Sequence, residues 1–335
     1  MSTLSLQYKS PTKNIVKDNC TMLDAIKILN KASVKILLVI DDAKRLVGTI
    51  TDGDIRRSLV DNENLNPICS DIMNSNPIFI SNDNPKIITK LIKDHGFSIP
   101  LLDKDKQVMK LCFLDLRPNS ELINTVVIMA GGKGERLLPL TKKTPKPMLL
   151  VNKRPIIYEI IKNIRSHGFI NIAISVNYLG NQLIDYFGNG EEFDVKINYL
   201  SEKKPLGTAG ALSLIDNESK EPIIVLNGDV VTNLNFIKLL EFHKKSKMLI
   251  TMCAANHSIS IPYGVIEIDG SRIIKLREKP IKNYLVNAGI YVISKSVVKK
   301  IPKNKRIDMT DLISQYLKLN KVAVYPIYED WADIG

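Results

Sequence analysis

The sequence has few of the residues on which several common kinds of protein depend. Its four cysteines, Cys20, Cys69, Cys112 and Cys253, lie far apart and form no CxxC pair. A disulfide framework and a cysteine-rich zinc site are therefore disfavoured. The four histidines are equally scattered, and aromatic residues make up only 6% of the chain. The sequence therefore does not suggest the stacking platforms that bind single-stranded nucleic acid.

Long apolar runs are also missing. No stretch approaches the roughly 18 apolar residues of a membrane span. The first 14 residues, MSTLSLQYKSPTKN, lack the apolar core of a signal peptide. We therefore expect no membrane association and a cytoplasmic location, in which the cysteines stay reduced.

Charge is the main bias of the composition. The chain of 335 residues has 47 basic and 35 acidic residues, a net charge of +12. Residues 1–120 hold 17 basic and 14 acidic residues (+3), which leaves 30 and 21 (+9) for residues 121–335. Such an excess attracts nucleic acid or anionic small molecules. Because basic runs and aromatic residues are few, a phosphate-bearing small substrate is the better interpretation, although an AT-rich genome also explains many lysines.

The length predicts two or three domains. The pattern of the chain changes at Arg117-Pro118-Asn119-Ser120. We place the domain boundary there, with one domain at 1–119 and a second at 120–335.

The first domain looks like an internal duplication of extended segment, helix, strand, turn and strand. The first copy has an extended end at 15–16, a helix begun by Thr21, strands at 36–40 and 46–50, and a helix start at 51–57. The second copy has strands at 77–80, 98–102 and 108–113, a helix around 85–93, and an equivalent step at 114–116.

With GTITDGDIRR at 48–57, this pattern resembles a pair of CBS domains over about residues 8–117. In that family a Ser/Thr-x-x-Asp step holds a nucleotide ribose and phosphate. The resemblance therefore implies a purine nucleotide at Thr51 and Asp54 and a regulatory role. The alternative is that both side chains only cap the helix that follows. The second copy lacks the hydroxyl at this step, so we expect at most one such site.

The second domain opens with TVVIMAGGKGERLLPLTKKTPKPM at 125–148. Its first residues form a β-branched run typical of a buried parallel strand. The loop of Ala130, Gly131, Gly132 and Gly134 lets backbone amides approach an anion closely. It lacks the GK[ST] of a P-loop, and Leu137 stands where a dinucleotide fingerprint has its third glycine. A hydride-transfer enzyme is therefore disfavoured.

This segment resembles the hallmark of the sugar-1-phosphate nucleotidylyltransferases, GGxGxRLxPLT…PKP, at every hallmark position. The resemblance extends from about residue 124 to the last residue. It implies a Rossmann-like α/β domain with a mixed, mostly parallel sheet, in which Arg136 and Lys146 bind the phosphates of an NTP. No general base is needed, because a sugar phosphate is already an oxyanion near pH 7. Catalysis then consists of aligning two polyanions and neutralising charge.

The same resemblance assigns the other site residues. Glu202, Gly207 and Thr208 would face the base, and Asp229 and Asp333 would hold Mg²⁺ through carboxylate oxygens. The sugar phosphate and sugar hydroxyls would be bound by residues of the YG, EKP and NAGIY elements, namely Gly264, Glu278, Lys279 and Asn287. Each of these residues has a plain structural alternative, as a surface cation, a turn aspartate or part of a strand-to-helix turn.

Glu202 also suggests which base is used. Guanine has two adjacent donors, N1–H and N2–H₂, which one carboxylate accepts together. Uracil and thymine have only one donor at that edge. A carboxylate just before residues 205–208 therefore predicts GTP over UTP, dTTP and CTP, unless Glu202 points to solvent beside Lys203.

A CBS pair ahead of such a domain resembles the guanylyltransferases of the bacterial legionaminic acid pathway, which make GDP-glucosamine from GTP and glucosamine-1-phosphate. We therefore expect a homo-oligomeric guanylyltransferase that serves bacterial surface glycan or flagellin glycosylation. A mannose- or heptose-1-phosphate acceptor and a UTP- or dTTP-dependent enzyme stay open. A catalytically inactive regulatory subunit is disfavoured because Arg136, Lys146, Asp229 and Lys279 are all present. Nucleic-acid binding has only the net charge in its favour.

Overall fold

The structure is a computed structural model that describes residues 5–32, 34–61, 66–95, 98–115, 122–151, 153–215 and 219–334. The described residues fall into two compact units, unit 1 within residues 1–119 and unit 2 within residues 120–335. None of the described helices is long and apolar enough to cross a membrane.

Unit 1 combines two small sheets with short helices. Its strands are β1 (Ser5–Lys9), β2 (Ile15–Lys17), β3 (Ile36–Ile40), β4 (Leu46–Thr51), β5 (Ser98–Leu102) and β6 (Val108–Asp115). Its helices are α1 (Met22–Lys31), α2 (Asp52–Asp61), α3 (Cys69–Ile72) and α4 (Pro85–His95).

Helix α1 shows how the sequence specifies these elements. Thr21 caps its N-terminus by accepting a hydrogen bond from the backbone N–H of Asp24 at 3.3 Å. The apolar face predicted from the helical spacing is buried: Met22, Ala25, Ile26 and Leu29. Full burial of each large apolar side chain on such a face contributes about 1.5–3 kcal/mol. The predicted helix and its N-cap are confirmed.

The two sheets of unit 1 have related topologies. β2 is parallel to β3, which is antiparallel to β4. In the second sheet β5 is antiparallel to β6, which also pairs with β1. Ile80 forms an isolated parallel bridge with Leu101 of β5, in the place that β2 takes in the first sheet.

Two details of the second copy differ from the prediction. The strand predicted at 77–80 is reduced to the bridge at Ile80, and Pro77 has no N–H to donate to a ladder. The helix-like step predicted at 114–116 is occupied by β6, which continues through Asp115 because buried Leu114 pairs with Leu6 of β1. The last residue of that step, Leu116, lies outside the described residues.

Unit 2 is larger and alternates strands with helices. Its strands are β7 (Val126–Met129), β8 (Leu150–Val151), β9 (Arg154–Pro155), β10 (Asn171–Val176), β11 (Lys196–Ser201), β12 (Ile223–Asn227), β13 (Val230–Thr232), β14 (Ile250–Ser260), β15 (Val265–Asp269), β16 (Arg272–Arg277), β17 (Ile281–Ile293), β18 (Val322–Ile327) and β19 (Trp331–Asp333). Its helices are α5 (Ile156–Ser166), α6 (Asn181–Phe187), α7 (Gly207–Gly210), α8 (Phe236–Ser246), α9 (Lys295–Val298) and α10 (Met309–Leu317).

Seven strands of unit 2 form one sheet in the order β11-β10-β7-β12-β17-β14-β18. β17 runs antiparallel to its neighbours β12 and β14, and the other neighbouring pairs are parallel. The predicted α/β fold with a mixed, mostly parallel sheet is confirmed.

Both faces of this sheet are covered, as the β-branched sequence of β7 predicts. Val126 and Ile128 belong to one buried cluster that includes Ile160 of α5. Val127 points to the other face and belongs to a second cluster that includes Leu312 of α10. Since β7 is buried on both faces and has no polar side to expose, the polar residues next to it lie in the loop where it ends.

Candidate active site

Four parallel strands of unit 2 end at the same edge of the sheet. β7 is followed by the Gly-rich loop, β10 by Asn177, β11 by Glu202, and β12 by Gly228 and Asp229. A cleft of about 780 Å³ lies at this edge. Open α/β sheets bind their ligands in this place, and the volume is typical of a small-molecule site.

The cleft brings together most of the residues that the sequence singled out in this unit. Ten of them line it: Ala130, Gly131, Gly132, Gly134, Arg136, Lys146, Glu202, Gly207, Thr208 and Asp229. Asp333 lies at its edge, within 3.9 Å of the ammonium group of Lys146.

The Gly-rich loop forms one wall of the cleft. Gly134 has a φ of +64°, and a Cβ there would lie 2.9 Å from Cγ2 of Thr141, so both the backbone conformation and the space require glycine. The buried Thr141 hydroxyl donates a hydrogen bond to the Gly134 carbonyl at 2.8 Å. Gly132, by contrast, has no atom within 4 Å of such a Cβ. The loop is therefore fixed from behind and open towards the cleft.

A lysine and an aspartate pair inside the cleft. Lys146 lies between two prolines in the 3₁₀ turn Lys146–Met148, and its side chain is only 10% exposed. Its ammonium group forms an ion pair with Oδ2 of Asp229. The other oxygen of Asp229, Oδ1, is buried and has no hydrogen-bond partner among the described residues. The pair places a cation and a partly unsatisfied carboxylate where β12 ends.

Asp333 reaches the same place through a short antiparallel ladder. β19 pairs with β13 so that Asp333 lies opposite Val230, the residue after Asp229. The backbone N–H of Ile334 donates to the Asp229 carbonyl at 3.1 Å. Two carboxylates separated by more than 100 residues in sequence thus meet beside Lys146.

These carboxylates fit a magnesium ion that is shared with a phosphate. Mg²⁺ is usually held by one or two carboxylates together with waters and phosphate oxygens. The partnerless Oδ1 of Asp229 is a suitable ligand oxygen. Groups of three or more acidic, histidine or cysteine side chains suited to a metal are not found among the described residues, so phosphate would have to complete the coordination.

Arg136 adds a second cation to the cleft. It lies in the 3₁₀ turn Glu135–Leu137 directly after Gly134, lines the cleft and is exposed. An exposed guanidinium can reorient towards a phosphate and bind two of its oxygens. Arg136 and Lys146 thus both line the cleft, and Cβ of Lys146 lies 3.1 Å from where a Cβ on Gly134 would be.

Glu202 lines the cleft, and both of its carboxylate oxygens accept hydrogen bonds from within the protein. Its Oε1 accepts from the Ser175 hydroxyl at 2.6 Å, and its Oε2 accepts from the Leu206 backbone N–H at 2.7 Å. A Cβ on Gly131 would lie 2.8 Å from Oε1. Because both oxygens are bound to the protein, the geometry favours a role in bracing the loop at 202–206 over reading a guanine edge.

Gly207 and Thr208 are enclosed by the segment before α10. Gly207 has a φ of +76°, and a Cβ there would lie 2.6 Å from both the Ile307 carbonyl and Oδ1 of Asp308. Thr208, at the start of α7, and Asp308, just before α10, each accept a backbone hydrogen bond from the other helix. The Thr208 hydroxyl accepts from the Met309 N–H at 2.7 Å, and Asp308 accepts from the Thr208 N–H at 3.3 Å. Thr208 therefore acts first as a cap for α10.

The sequence analysis assigned no role to four charged residues of the lining, namely Lys133, Glu135, Arg306 and Asp308. Asp308 carried a signal, since it directly precedes the helix α10 and is its N-cap. Arg306 carried none, because only its pairing with the distant loop 206–210 brings it to the cleft.

The predicted sugar-binding residues do not line this cleft. Gly264 and Glu278 flank the ribbon of β15 and β16 and lie close together: a Cβ on Gly264 would be 3.0 Å from Oε2 of Glu278. Lys279 is exposed and has a φ of +44°. The ribbon itself is exposed along both strands. Gly264 and Glu278 thus lie beside each other at the base of the ribbon, outside the lining of the cleft.

Asn287 on β17 is tied to its own strand. Its Nδ2 donates to the Tyr291 hydroxyl at 2.7 Å, and its Oδ1 accepts from the Gly289 N–H at 3.0 Å. Burial raises the pKa of Tyr291, an effect that this hydrogen bond from Asn287 partly offsets. The Tyr291 hydroxyl therefore stays protonated.

In unit 1 the two predicted nucleotide-binding residues, Thr51 and Asp54, form hydrogen bonds with each other. Oδ2 of Asp54 accepts from the Thr51 hydroxyl at 2.6 Å and from the Thr51 N–H at 2.8 Å. Its Oδ1 pairs with Arg57 one turn further on. The side chain of Asp54 is only 7% exposed. These contacts match the capping arrangement in the absence of a ligand, with the Asp54 carboxylate bound to both Thr51 and Arg57.

The cleft has the cations, open glycine loop and carboxylates that suit a phosphate-bearing ligand at the ends of parallel strands. Comparison with protein families agrees with such a ligand. Residues 125–335 match the family described as nucleotidyl transferase, and residues 11–61 match the CBS domain. The chain belongs to the nucleotidyl transferase family, and its N-terminal part contains a CBS domain.

Individual relatives use different bases. The chain is 32% identical over 217 residues to a mannose-1-phosphate guanyltransferase of Yarrowia lipolytica, which is 62% of this chain and 60% of that protein. It is 29% identical over 230 residues to a UTP–glucose-1-phosphate uridylyltransferase of Synechocystis, covering 62% of this chain and 59% of that protein. These matches span about 60% of the length of either relative.

A solved structure shares the fold of unit 2. It is a Bacillus anthracis protein described as a glucose-1-phosphate thymidylyltransferase, solved in complex with a sucrose. The match has a TM-score of 0.50 and 27% sequence identity, and it covers 62% of this chain and 89% of that one.

Proposed function

We propose that the chain transfers a nucleotidyl group from an NTP to a sugar-1-phosphate, giving an NDP-sugar and pyrophosphate. One observation carries this proposal. The open Gly-rich loop, the cations Arg136 and Lys146, and the carboxylate Asp229 all face one cleft at the ends of parallel strands. A triphosphate needs backbone amides and cations around its oxygens, and this wall of the cleft supplies them.

Each group of residues has a separate role in the reaction. An oxygen of the sugar phosphate attacks the α-phosphorus of the NTP, the bond to the β-phosphate oxygen breaks, and pyrophosphate leaves with that electron pair. The amides at 131–134 and the guanidinium of Arg136 hold the phosphates in line. Lys146 neutralises charge that develops on the oxygens of the α-phosphate, moving away from Asp229 to do so.

Asp229 and Asp333 would hold Mg²⁺ in this reaction. A bound Mg²⁺ supplies charge neutralisation on phosphate oxygens. Asp229 offers Oδ1 at once, and release of Lys146 towards the phosphates would free Oδ2 as well. The ion pair thus keeps the carboxylate neutralised until substrate arrives.

GTP is the proposed donor and glucosamine-1-phosphate the proposed acceptor. The guanyltransferase relatives support GTP. The CBS domain ahead of the catalytic unit, a combination that resembles the legionaminic acid enzymes, supports glucosamine-1-phosphate and a role in bacterial glycan synthesis. Mannose-1-phosphate is the second candidate acceptor, because the names of several relatives specify it. Gly264, Glu278, Lys279 and Asn287 are the residues proposed to bind the sugar and its phosphate.

Residues 1–119 form the proposed regulatory domain, and residues 120–335 the catalytic one. A purine nucleotide at Thr51 and Asp54 is the proposed ligand of the first domain, in a homo-oligomeric cytoplasmic enzyme. Binding there would exchange the Asp54–Arg57 ion pair for contacts to a ribose. This exchange offers a physical means by which ligand binding alters the start of α2.

A pyrophosphate-release screen tests the proposal. GTP, ATP, UTP, CTP and dTTP are each combined with glucosamine-, mannose-, glucose- and heptose-1-phosphate in the presence of Mg²⁺. We expect release with GTP and one of these acceptors, and none from the Asp229→Asn variant under the same conditions. Absence of release in every combination would refute nucleotidyl transfer, whereas release with UTP alone would refute only the guanylyl assignment.

A further inference from the structure

The cleft has a phosphate side and a second side that must face the base. Lys146, Asp229 and the Gly-rich loop occupy the phosphate side. The remaining lining consists mainly of Glu202, the loop 205–208 and the segment 306–308. Because the phosphates belong beside the cations and the carboxylate, the base of the NTP lies against this second side.

Three charged side chains are available on that side, and two are already in use. Glu202 accepts hydrogen bonds with both oxygens, from Ser175 and from the backbone of Leu206. Asp308 accepts from the Thr208 N–H and is the N-cap residue of α10. Arg306 has one ion pair among the described residues, to Asp308 at 3.8 Å, which is too long for a hydrogen bond. Its side chain is 72% exposed.

The backbone next to Arg306 is nevertheless bonded firmly to residues 206–210. The Ile307 N–H donates to the Leu206 carbonyl at 2.8 Å. The Ile307 carbonyl accepts from the N–H groups of Ala209 and Gly210 at 2.9 and 3.0 Å. A fixed backbone with an exposed guanidinium, held only by the long ion pair to Asp308, gives a donor group that can turn onto a ligand without moving the fold.

The chemistry of the bases selects one partner for such a donor. Guanine presents two adjacent acceptors, N7 and O6, which match the fork of an arginine guanidinium. Adenine and cytosine place an amino group at this edge, and uracil and thymine offer a single carbonyl oxygen. An arginine on the base side therefore favours guanine.

We propose that Arg306 reads the N7 and O6 edge of guanine and is a specificity-determining residue of this enzyme. The proposal rests on the proposed use of GTP. In this proposal Arg306, with its exposed guanidinium, recognises the base in place of Glu202, whose carboxylate braces the loop. The proposal also explains how the Glu202 position can be structural while guanine is still selected.

Substrate analogues and matched variants test the role of Arg306. 7-Deaza-GTP lacks the N7 acceptor but keeps the O6, N1 and N2 groups. For wild type we expect a kcat/KM with 7-deaza-GTP about tenfold lower than with GTP. Arg306→Ala should lower kcat/KM for GTP by about 10- to 100-fold. In this variant GTP and 7-deaza-GTP should have equal kcat/KM, and the kcat/KM for UTP should differ from that of wild type by less than about threefold. Lys305→Ala, an exposed neighbour outside the cleft lining, should leave all three values unchanged.

Arg306→Lys separates base reading from simple charge. Lysine keeps the charge but loses the planar fork, so we expect it to leave most of the defect with GTP. Full rescue by lysine, an equal loss with GTP and UTP, or equal use of GTP and 7-deaza-GTP by wild type would overturn the proposal. A wild-type enzyme that prefers UTP or dTTP would instead refute the use of GTP, a result visible before any variant is made.

Discussion

Lys146→Met, Asp229→Asn and the double variant form a cycle that isolates the ion pair in the cleft. Methionine keeps most of the buried lysine stem, and asparagine keeps the shape of the aspartate. Each single change leaves one member of the pair without its partner. The double variant removes both charges, so its stability relative to the single variants measures their coupling.

The burial of the two side chains sets the expected size of this coupling. The side chains of Lys146 and Asp229 are 10% and 18% exposed. Two unit charges about 4 Å apart attract by roughly 4 kcal/mol at an effective dielectric constant of about 20. Desolvation offsets much of this, so we expect a net coupling of about 1–3 kcal/mol. Lys146→Met alone should cost about 2–3 kcal/mol, because it leaves the Asp229 carboxylate without any partner.

Urea unfolding followed by the fluorescence of Trp331 measures these free energies. Trp331 is the only tryptophan of the chain and donates from Nε1 to the Ala288 carbonyl at 2.9 Å, so it reports on unit 2. Lys133→Met is the matched control. Its pair with Glu135 is 3.9 Å long and exposed, so its removal should cost less than about 0.5 kcal/mol. Effects of the two cleft variants that add within about 0.5 kcal/mol would refute a coupled pair.

Three further predictions concern function. Arg136→Ala should lower turnover by about 100-fold or more while unfolding in urea is unchanged, because its exposed guanidinium serves the phosphates rather than the fold; near-normal turnover would remove it from this role. Excess EDTA should abolish pyrophosphate release and added Mg²⁺ should restore it, and full activity in EDTA would contradict a metal at Asp229. In calorimetry on the full chain, Asp54→Ala should weaken one class of purine-nucleotide binding about tenfold or more. Binding that is unchanged in this variant would leave unit 1 a structural role.

The elements that the sequence predicts best are those with a strong local pattern. Helix α5 and strand β10 are examples, because their apolar residues recur at helical spacing or form a continuous run and are buried when the element forms. The segment at 77–80 fails for the opposite reason. Its apolar residues suggest a strand, but Ile78 and Phe79 are exposed and only Ile80 pairs. A local pattern cannot specify whether a partner strand is present.

The same distinction applies to the cleft. The Gly-rich loop, Arg136 and Lys146 belong to one contiguous motif, so the sequence brings them together. The role of Glu202 depends on Ser175, 27 residues away, and the placement of Arg306 depends on a backbone pairing with Leu206. Such contacts follow from the sheet order and not from spacing. The sequence therefore groups the residues of the contiguous motif, whereas the hydrogen bonds of Glu202 and the presence of Arg306 in the cleft appear only in the fold.

A buried histidine makes the stability of unit 2 depend on pH. His243 of α8 is 4% exposed, and its ring nitrogens contact the hydroxyls of Thr251 and Ser294 at 2.8 and 3.1 Å. Burial, aided by the charge of Lys244, lowers the pKa of His243 to about 4. In the unfolded chain its pKa is about 6.5. The unfolded state therefore binds the proton first, and stability falls as the pH drops from about 6.5 towards 4.

The size of this effect follows from the interval between the two pKa values. Each pH unit within it costs about 1.4 kcal/mol, so the loss attributable to His243 between pH 7 and pH 5 is about 2 kcal/mol. Other groups also titrate in this range, so the measurement compares wild type with His243→Asn by urea unfolding at both values, again through Trp331. The variant should be less stable at pH 7 but lose about 2 kcal/mol less than wild type on acidification. Equal losses in the two proteins would show that the ring of His243 already carries its proton, or gains it freely, in the folded state.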